Sequence, residues 1–275
     1  MSNYLIFAYY DAPLDMTLDF LNKISLIYNI DKVIFVNNNL KPILIDRSNL
    51  FLVIKGSNLI REFSAWDEGY FKLKNTQKLS EFDKLFFLND TIITNIYLRF
   101  TILEISRSKI SKFIIKESID HVLGPIVNTR IGHFKIFDGI VGDYIATFFL
   151  LLEVRTLNKI HPFSPNIDWG LFLNQEFSNQ LFIGGVDNNY LKFYNNWLGC
   201  NSSNGIGNWK KSHKYPYNRL NFRFLYHKAQ CIILESNFTA KCNINNINII
   251  NLYPNKFLHF IFRIFFRIIH KFSST

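Results

Sequence analysis

The sequence predicts an α/β fold with a mostly parallel central sheet, and three observations carry that reading. Apolar runs of strand length alternate with helix-length amphipathic segments through the first third of the chain. The runs are continuous in polarity rather than alternating, as strands covered on both faces require. Each stops at Asn, Asp or Gly, the residues that turns favour. Residues 4–10, YLIFAYY, are the first strand. Residues 14–28 place Leu14, Leu18, Leu21, Ile24, Ile27 and Tyr28 at helical spacing. Residues 32–36, 50–54 and 84–88 are further strands, with a short helix over 61–71. Residues 93–105 read as helix, and 121–127 as a strand broken at Gly124-Pro125. Residues 143–155, DYIATFFLLLEVR, predict a buried helix with Asp143 as its N-cap. Residues 231–234, CIIL, predict a late strand, and Gly199–Asn208 a loop. The predicted organisation is one half over 1–110, a second half of the same domain over 111–250, and a terminal amphipathic helix over 251–275.

Composition narrows the function classes. With 275 residues, 48% hydrophobic and 19% charged, the chain is neither disordered, coiled-coil nor collagen-like. No apolar run approaches the roughly 18–20 residues of a spanning helix. The N-terminal apolar run lacks a preceding basic region, which predicts no secretory signal. The cysteines, Cys200, Cys231 and Cys242, form no Cys-x-x-Cys pair, which fits a reducing compartment and argues against a zinc knuckle.

Charge is unevenly placed. Residues 1–187 hold 19 Lys and Arg against 20 Asp and Glu, whereas residues 188–275 hold 12 against the single acid Glu235. The last third therefore favours an anionic partner: a phosphate-bearing ligand, a nucleic acid or a membrane surface. The polar strand ends Asp11, Asn37–Asn39, Gly56–Asn58 and Asn89–Thr91 would share one sheet edge. Open α/β sheets bind ligands at that carboxyl edge, although turn formation alone also calls for these residues. Gly56-Ser57-Asn58 leads into a helix start at Arg61 and Glu62, where anions are favoured. Asn89-Asp90 closes the next strand with an amide and a carboxylate, and hard cations bridge carboxylate and phosphate oxygens.

Those two segments, GSNLIREFSAWDEGY and FDKLFFLNDT, resemble the donor-binding half of inverting GT-A-type glycosyltransferases from bacterial O-antigen, capsule and rhamnan loci. The likeness covers about residues 4–95. It implies a GT-A-like, Rossmann-type three-layer sandwich and a hexosyl- or deoxyhexosyltransferase. The donor would be a nucleotide sugar and the acceptor a lipid-linked glycan. The implied donor-binding residues are Asp11, Asn58, Arg61, Glu62, Asn89 and Asp90, with Asp90 also the ligand of a divalent metal, Mg²⁺ or Mn²⁺. The family motif often has two carboxylates, and Asn89 stands in place of one. That departure bears on metal dependence and opens a third reading, a degenerate fold of this type that only scaffolds other proteins.

Transfer to a hydroxyl needs a group to take its proton. In IGHFKIFDGIVGDY, residues 131–144, Asp138 and Asp143 are the candidate catalytic carboxylates, with His133 nearby. Turn and cap roles compete for both, and Asp168 and Glu176 are weaker candidates. Residues 209–228 carry Lys210, Lys211, Lys214, Arg219, Arg223 and Lys228 among aromatics and no acid. A donor-closing loop here would use His213 and Arg219 on the departing diphosphate. Interleaved aromatics also suit single-stranded nucleic acid, so a non-enzymatic nucleic-acid-binding protein is the rival reading. Residues 255–272 place Lys256, His259, Arg263, Arg267, His270 and Lys271 within an arc of about 120°, with Phe, Ile and Leu elsewhere. That pattern predicts a helix lying in a membrane interface. Arg263 and Arg267 would be costly at a bilayer centre, which disfavours a spanning helix. The expected place is the cytoplasmic face of a bacterial inner membrane, with no nucleic-acid partner.

Overall fold

The computed structural model describes residues 1–43, 45, 49–116, 120–127, 132–208 and 214–253. The predicted helix over 255–272 and His213 lie outside the described residues. In chain order the first elements are β1 (Asn3–Tyr9), α1 (Leu14–Tyr28), β2 (Lys32–Asn37), β3 (Phe51–Lys55), α2 (Arg61–Thr76) and β4 (Lys84–Asn89). Next come α3 (Thr91–Thr94), α4 (Ile96–Phe100), a π-turn over Thr101–Ile105 and α5 (Arg107–Ile115). They are followed by β5 (His121–Gly124), β6 (Ile126–Val127), β7 (Phe134–Ile136), β8 (Gly139–Val141), β9 (Tyr144–Ile145) and β10 (Phe149–Glu153). The last are α6 (Val154–Ile160), a short 3₁₀ turn over Trp169–Leu171, α7 (Asn188–Leu198), α8 (Phe222–Ile244) and β11 (Asn248–Asn251). The chain forms two compact units. The first comprises Met1–Ile126, Ala146–His161 and the chain from Ile247; the second comprises Val127–Ile145 and Pro162–Asn246.

The first unit is the expected α/β layer. Its seven-stranded sheet runs β11-β5-β10-β4-β1-β2-β3. Strand β1 pairs in parallel with both β2 and β4, and β2 with β3. Only β10 opposes its neighbours, β4 and β5, so the sheet is mostly parallel but mixed. Alternate residues of the buried strands serve opposite faces. Leu5, Phe7, Val33, Phe35, Phe86 and Leu88 pack with Phe20, Leu21 and Ile24 of α1 and Ile110 and Phe113 of α5. Ile6 and Val36 face α2, whose Gly69 sits so close that a Cβ there would stand 2.4 Å from Ile6 Cγ2 and 3.1 Å from Val36 Cγ2. Gly69→Ala is therefore expected to destabilise by about 1–3 kcal/mol through overpacking, despite alanine's better helix propensity. A urea midpoint equal to the parent's would contradict this close approach.

Two sequence expectations are corrected. Residues 143–155 are not a helix: Phe149–Glu153 is strand β10, and α6 starts only at Val154. All five β10 residues are buried because the strand has a partner on each side and layers on both faces. A continuous apolar run of this length reads alike for buried strand and buried helix. Asp143 consequently caps no helix. Residues 231–234 are not a strand but the middle of α8, whose residues Ala229–Ala240 are all buried. A helix enclosed on every side loses the polar stripe that would mark its period.

The second unit packs around α8. Gly139 of β8 lies against Ala240, with 2.7 Å between its would-be Cβ and Ala240 Cβ. Tyr190, Tyr194, Phe134, Phe182, Leu225 and Ile232 fill the core. Among the described residues no helix is long and apolar enough to cross a membrane.

Candidate functional site

The carboxyl ends of β4, β1, β2 and β3 finish level, with Ala8 beside Asn89, Tyr9 beside Asn37, and Asn37 beside Lys55. Backbone hydrogen bonds lace the loops that leave them: Asn38 N–H to Tyr9 O (2.8 Å), Gly56 N–H to Asn37 O (2.9 Å) and Asp90 N–H to Ala8 O (3.1 Å). The chain progresses from β1 outward through β2 and β3, then returns to place β4 on the other side of β1. That reversal is a topological switch point, where a crevice opens between diverging loops.

Asp90 stands at the switch. Its Oδ2 accepts the N–H groups of Tyr10 (2.9 Å), Asp11 (3.0 Å) and Ala12 (3.3 Å). It makes no side-chain cap to α3, so the simple helix-cap role does not apply. Among the described residues its Oδ1 has no hydrogen-bond partner. Burial pushes the Asp90 carboxyl above the usual carboxylate range; the three N–H donors oppose that push and the Asp11 carboxylate adds to it. Asp11 itself is exposed.

Asn89 is spent on structure. Its Nδ2 donates to Thr147 O (2.9 Å) and its Oδ1 accepts Thr91 N–H (3.1 Å). A carboxylate could not donate the first of these bonds, which is a physical reason for an amide here. Thr147 is nearly fully buried. Its hydroxyl donates to Glu62 Oε1 (3.1 Å), so the first turn of α2 is tied through Thr147 to the end of β4. Sequence reasoning missed Thr147 because it read the segment as helix.

The β3–α2 loop is held in unusual backbone. Asn58 has φ 54° and Arg61 φ 44°, both in the left-handed region. Asparagine tolerates that region; arginine there costs energy, and such strain clusters at ligand sites. Ser57 is fixed by Glu68, which accepts from its backbone N–H and its hydroxyl. The residue before α2, Ile60, offers no side-chain cap to the helix start.

The three asparagines after β2 separate by role. Asn37 Nδ2 donates to Lys41 O (3.0 Å), and its Oδ1 accepts Asn39 N–H (2.9 Å). Asn39 Nδ2 donates to Tyr10 O, and its Oδ1 accepts Lys41 N–H. Asn38 is 7% exposed, yet both polar atoms of its side chain lack a hydrogen-bond partner among the described residues. Its Oδ1 lies directly over Gly56, where a Cβ would stand only 2.0 Å away. A buried amide left unsatisfied costs about 1–3 kcal/mol, and such a group calls for a physical reason, a functional role among them.

The first unit thus gathers Asp11, Asn89, Asp90 and Glu62 along one edge, with Asn58 on the loop following β3 and Arg61 at the first position of α2. The other candidates lie in the second unit. Asp138 occupies the two-residue turn of the β7–β8 hairpin beside Phe137, and Asp143 follows β8; both are exposed. The His133 ring lies beside Gly142. Asp168 Oδ1 accepts Gly170 N–H (3.0 Å) and so caps a 3₁₀ turn. Glu176 and Arg219 are exposed, and the Arg219 guanidinium lies 6.0 Å from the Phe177 ring centroid.

Among the described residues no three His, Cys, Asp or Glu side chains group as a metal cage. Asp90 Oδ1 and the neighbouring Asp11 suit a different mode, in which Mg²⁺ keeps one or two carboxylates and takes its other oxygens from substrate phosphates and water. No protein-family model matches the chain, and no curated protein matches it.

Proposed function

We propose that the first unit binds the nucleotide-sugar donor of a GT-A-type, inverting glycosyltransferase of bacterial surface polysaccharide synthesis. The observation that carries this reading is the buried, unpartnered Asn38 amide at the carboxyl edge, near the β1 loop that Asp90 braces. An amide presents one donor and one acceptor in a plane, the complement of a nucleobase edge. The diphosphate would lie between the Asp90 edge and the uncapped start of α2, where N–H groups favour phosphate. Asp90 Oδ1 and Asp11 would hold the divalent cation that arrives with the diphosphate and offsets its developing charge.

In the reaction, the acceptor oxygen bonds to the anomeric carbon. The bond from that carbon to the diphosphate oxygen breaks, and its electron pair leaves with the diphosphate. The hydroxyl proton passes to a carboxylate acting as general base. Positioning and stabilisation of the leaving diphosphate supply most of the rate. The acceptor is a lipid-linked glycan, and residues 255–272 hold the chain on the membrane surface.

The nucleic-acid alternative is weaker. Tyr217 and Phe222 are buried, and Tyr215 stacks on Phe224 at 4.3 Å between centroids. Those rings are spent on packing rather than offered to bases. A thermal-shift screen of nucleoside diphosphates with and without Mn²⁺ tests the proposal. A hundredfold excess over Kd stabilises by about 2.7 kcal/mol, which is several degrees in Tm. No shift with any nucleotide would overturn it.

A further inference from the structure

The turn that leads into α8 presents Leu220 to solvent at 94% exposure, the side chain of a core residue in the wrong place. The turn is firmly held. Tyr217 is buried and its hydroxyl donates to Ser178 O (2.9 Å). Asn221 Nδ2 donates to Pro216 O (3.0 Å), and Asn221 N–H to Asn218 Oδ1 (3.0 Å). Phe222 is buried on the other side of Leu220. Phe177, itself exposed, rests its ring on Tyr217 (5.3 Å) and Phe222 (6.1 Å). Leu220 is therefore displayed by a rigid frame, and Phe177 adds a second apolar group to that frame.

Cations accompany it. Lys214, Arg219 and Arg223 are all exposed, with Arg219 over the Phe177 ring and Arg223 in the first turn of α8. Across residues 188–253 the single acid is Glu235, which is buried in α8. One exposed acid, Glu176, precedes Phe177 on the neighbouring loop.

We propose that Arg219, Leu220 and Arg223, with Phe177 beside them, form a docking tip for an anionic lipid bilayer. Leu220 enters the interface, where apolar side chains leave water, and the guanidiniums bind headgroup phosphates in the bidentate geometry that suits them. A nucleic acid would match the charges but has no use for an exposed leucine, and among the described rings of this stretch Tyr217 and Phe222 are buried. The inference shares the membrane with the proposed function but stands on residues of the second unit alone, not on the C-terminal segment.

The test is co-sedimentation of the full chain with phosphatidylcholine vesicles, with and without phosphatidylglycerol. Leu220→Asp is expected to weaken binding at least about tenfold to the anionic vesicles. Arg219→Gln with Arg223→Gln is expected to weaken it about fivefold per charge, with little effect on neutral vesicles. Circular dichroism should be unchanged in both variants, because all three side chains are exposed. A parallel Arg263→Gln, Arg267→Gln variant separates the C-terminal segment. Loss in the loop variants supports the docking tip whether or not that pair has an effect. Loss only in that pair overturns the tip and leaves the C-terminal reading standing. Unchanged vesicle affinity in the loop variants overturns the tip, as does a loss confined to binding of a single-stranded oligonucleotide. A full chain that binds no vesicle overturns both membrane contacts.

Discussion

Asp90→Asn is expected to keep its fold and lose transfer, whereas Asp90→Ala is expected to lose both. The carboxylate has two separable jobs. Its Oδ2 satisfies three backbone N–H groups of the loop after β1, a task that an asparagine carbonyl can also perform. Alanine strands those donors, at about 2–4 kcal/mol for the group. The charge on the other oxygen is what a cation or diphosphate would use, and asparagine lacks it. Loss of one such electrostatic group costs about 10²–10³ in turnover. Melting curves and a nucleotide-sugar transfer assay on both variants read the two jobs apart. Normal turnover by Asp90→Asn would reduce Asp90 to a loop brace.

The pH dependence follows from the same environment. Burial holds the folded pKa of Asp90 above the ordinary carboxylate value. Its contribution to stability is therefore fully present below the unfolded pKa and is lost as pH rises through the folded one. A neutral asparagine has no such loss. The Tm of Asp90→Asn should gain on the parent as pH rises from about 4 towards neutrality.

The largest loss of stability is expected at the far end of the same strands. Lys84 of β4 and Glu153 of β10 face each other in register, both with fully buried side chains. Lys84 Nζ also donates to Lys116 O (2.9 Å) and lies 5.3 Å from the Phe113 ring. Arg155 Nε donates to the second oxygen of Glu153. Glu153→Leu would take the carboxylate from the buried Lys84 ammonium, at about 3–5 kcal/mol. Combining it with Lys84→Met should recover most of that loss, because a buried ion pair exchanged for apolar groups is often close to neutral. Urea unfolding of the single and double variants measures the difference. A single variant as stable as the parent would mean that this pair is not enclosed.

Strands β1 to β4 and helices α1 and α2 are legible in the sequence because each apolar run is bounded by turn residues. Strand β10 and the centre of α8 exchange identities in a sequence reading. Both are buried on all sides, so burial erases the period that distinguishes them. The site divides in the same way. Asp11 and Asp90 are legible as polar strand ends at a predicted carboxyl edge. Thr147 is not, because its segment reads as helix in the sequence. Asn37, Asn38 and Asn39 are the same letter three times, and only hydrogen-bond partners reveal that Asn38 alone is left unsatisfied. Gly56 reads as a turn glycine, but its role is to leave room beneath the Asn38 side chain.

Titration of ¹⁵N-labelled protein with a nucleoside diphosphate and Mg²⁺, followed by NMR, tests the central claim most directly. Saturable shifts of the Asn38 side-chain NH₂ pair and of the backbone amides of Tyr10, Asp11, Ala12 and Gly56 are the expected result. A nucleotide that binds while those resonances stay still, or a spectrum that does not change at all, would contradict a donor site at this edge.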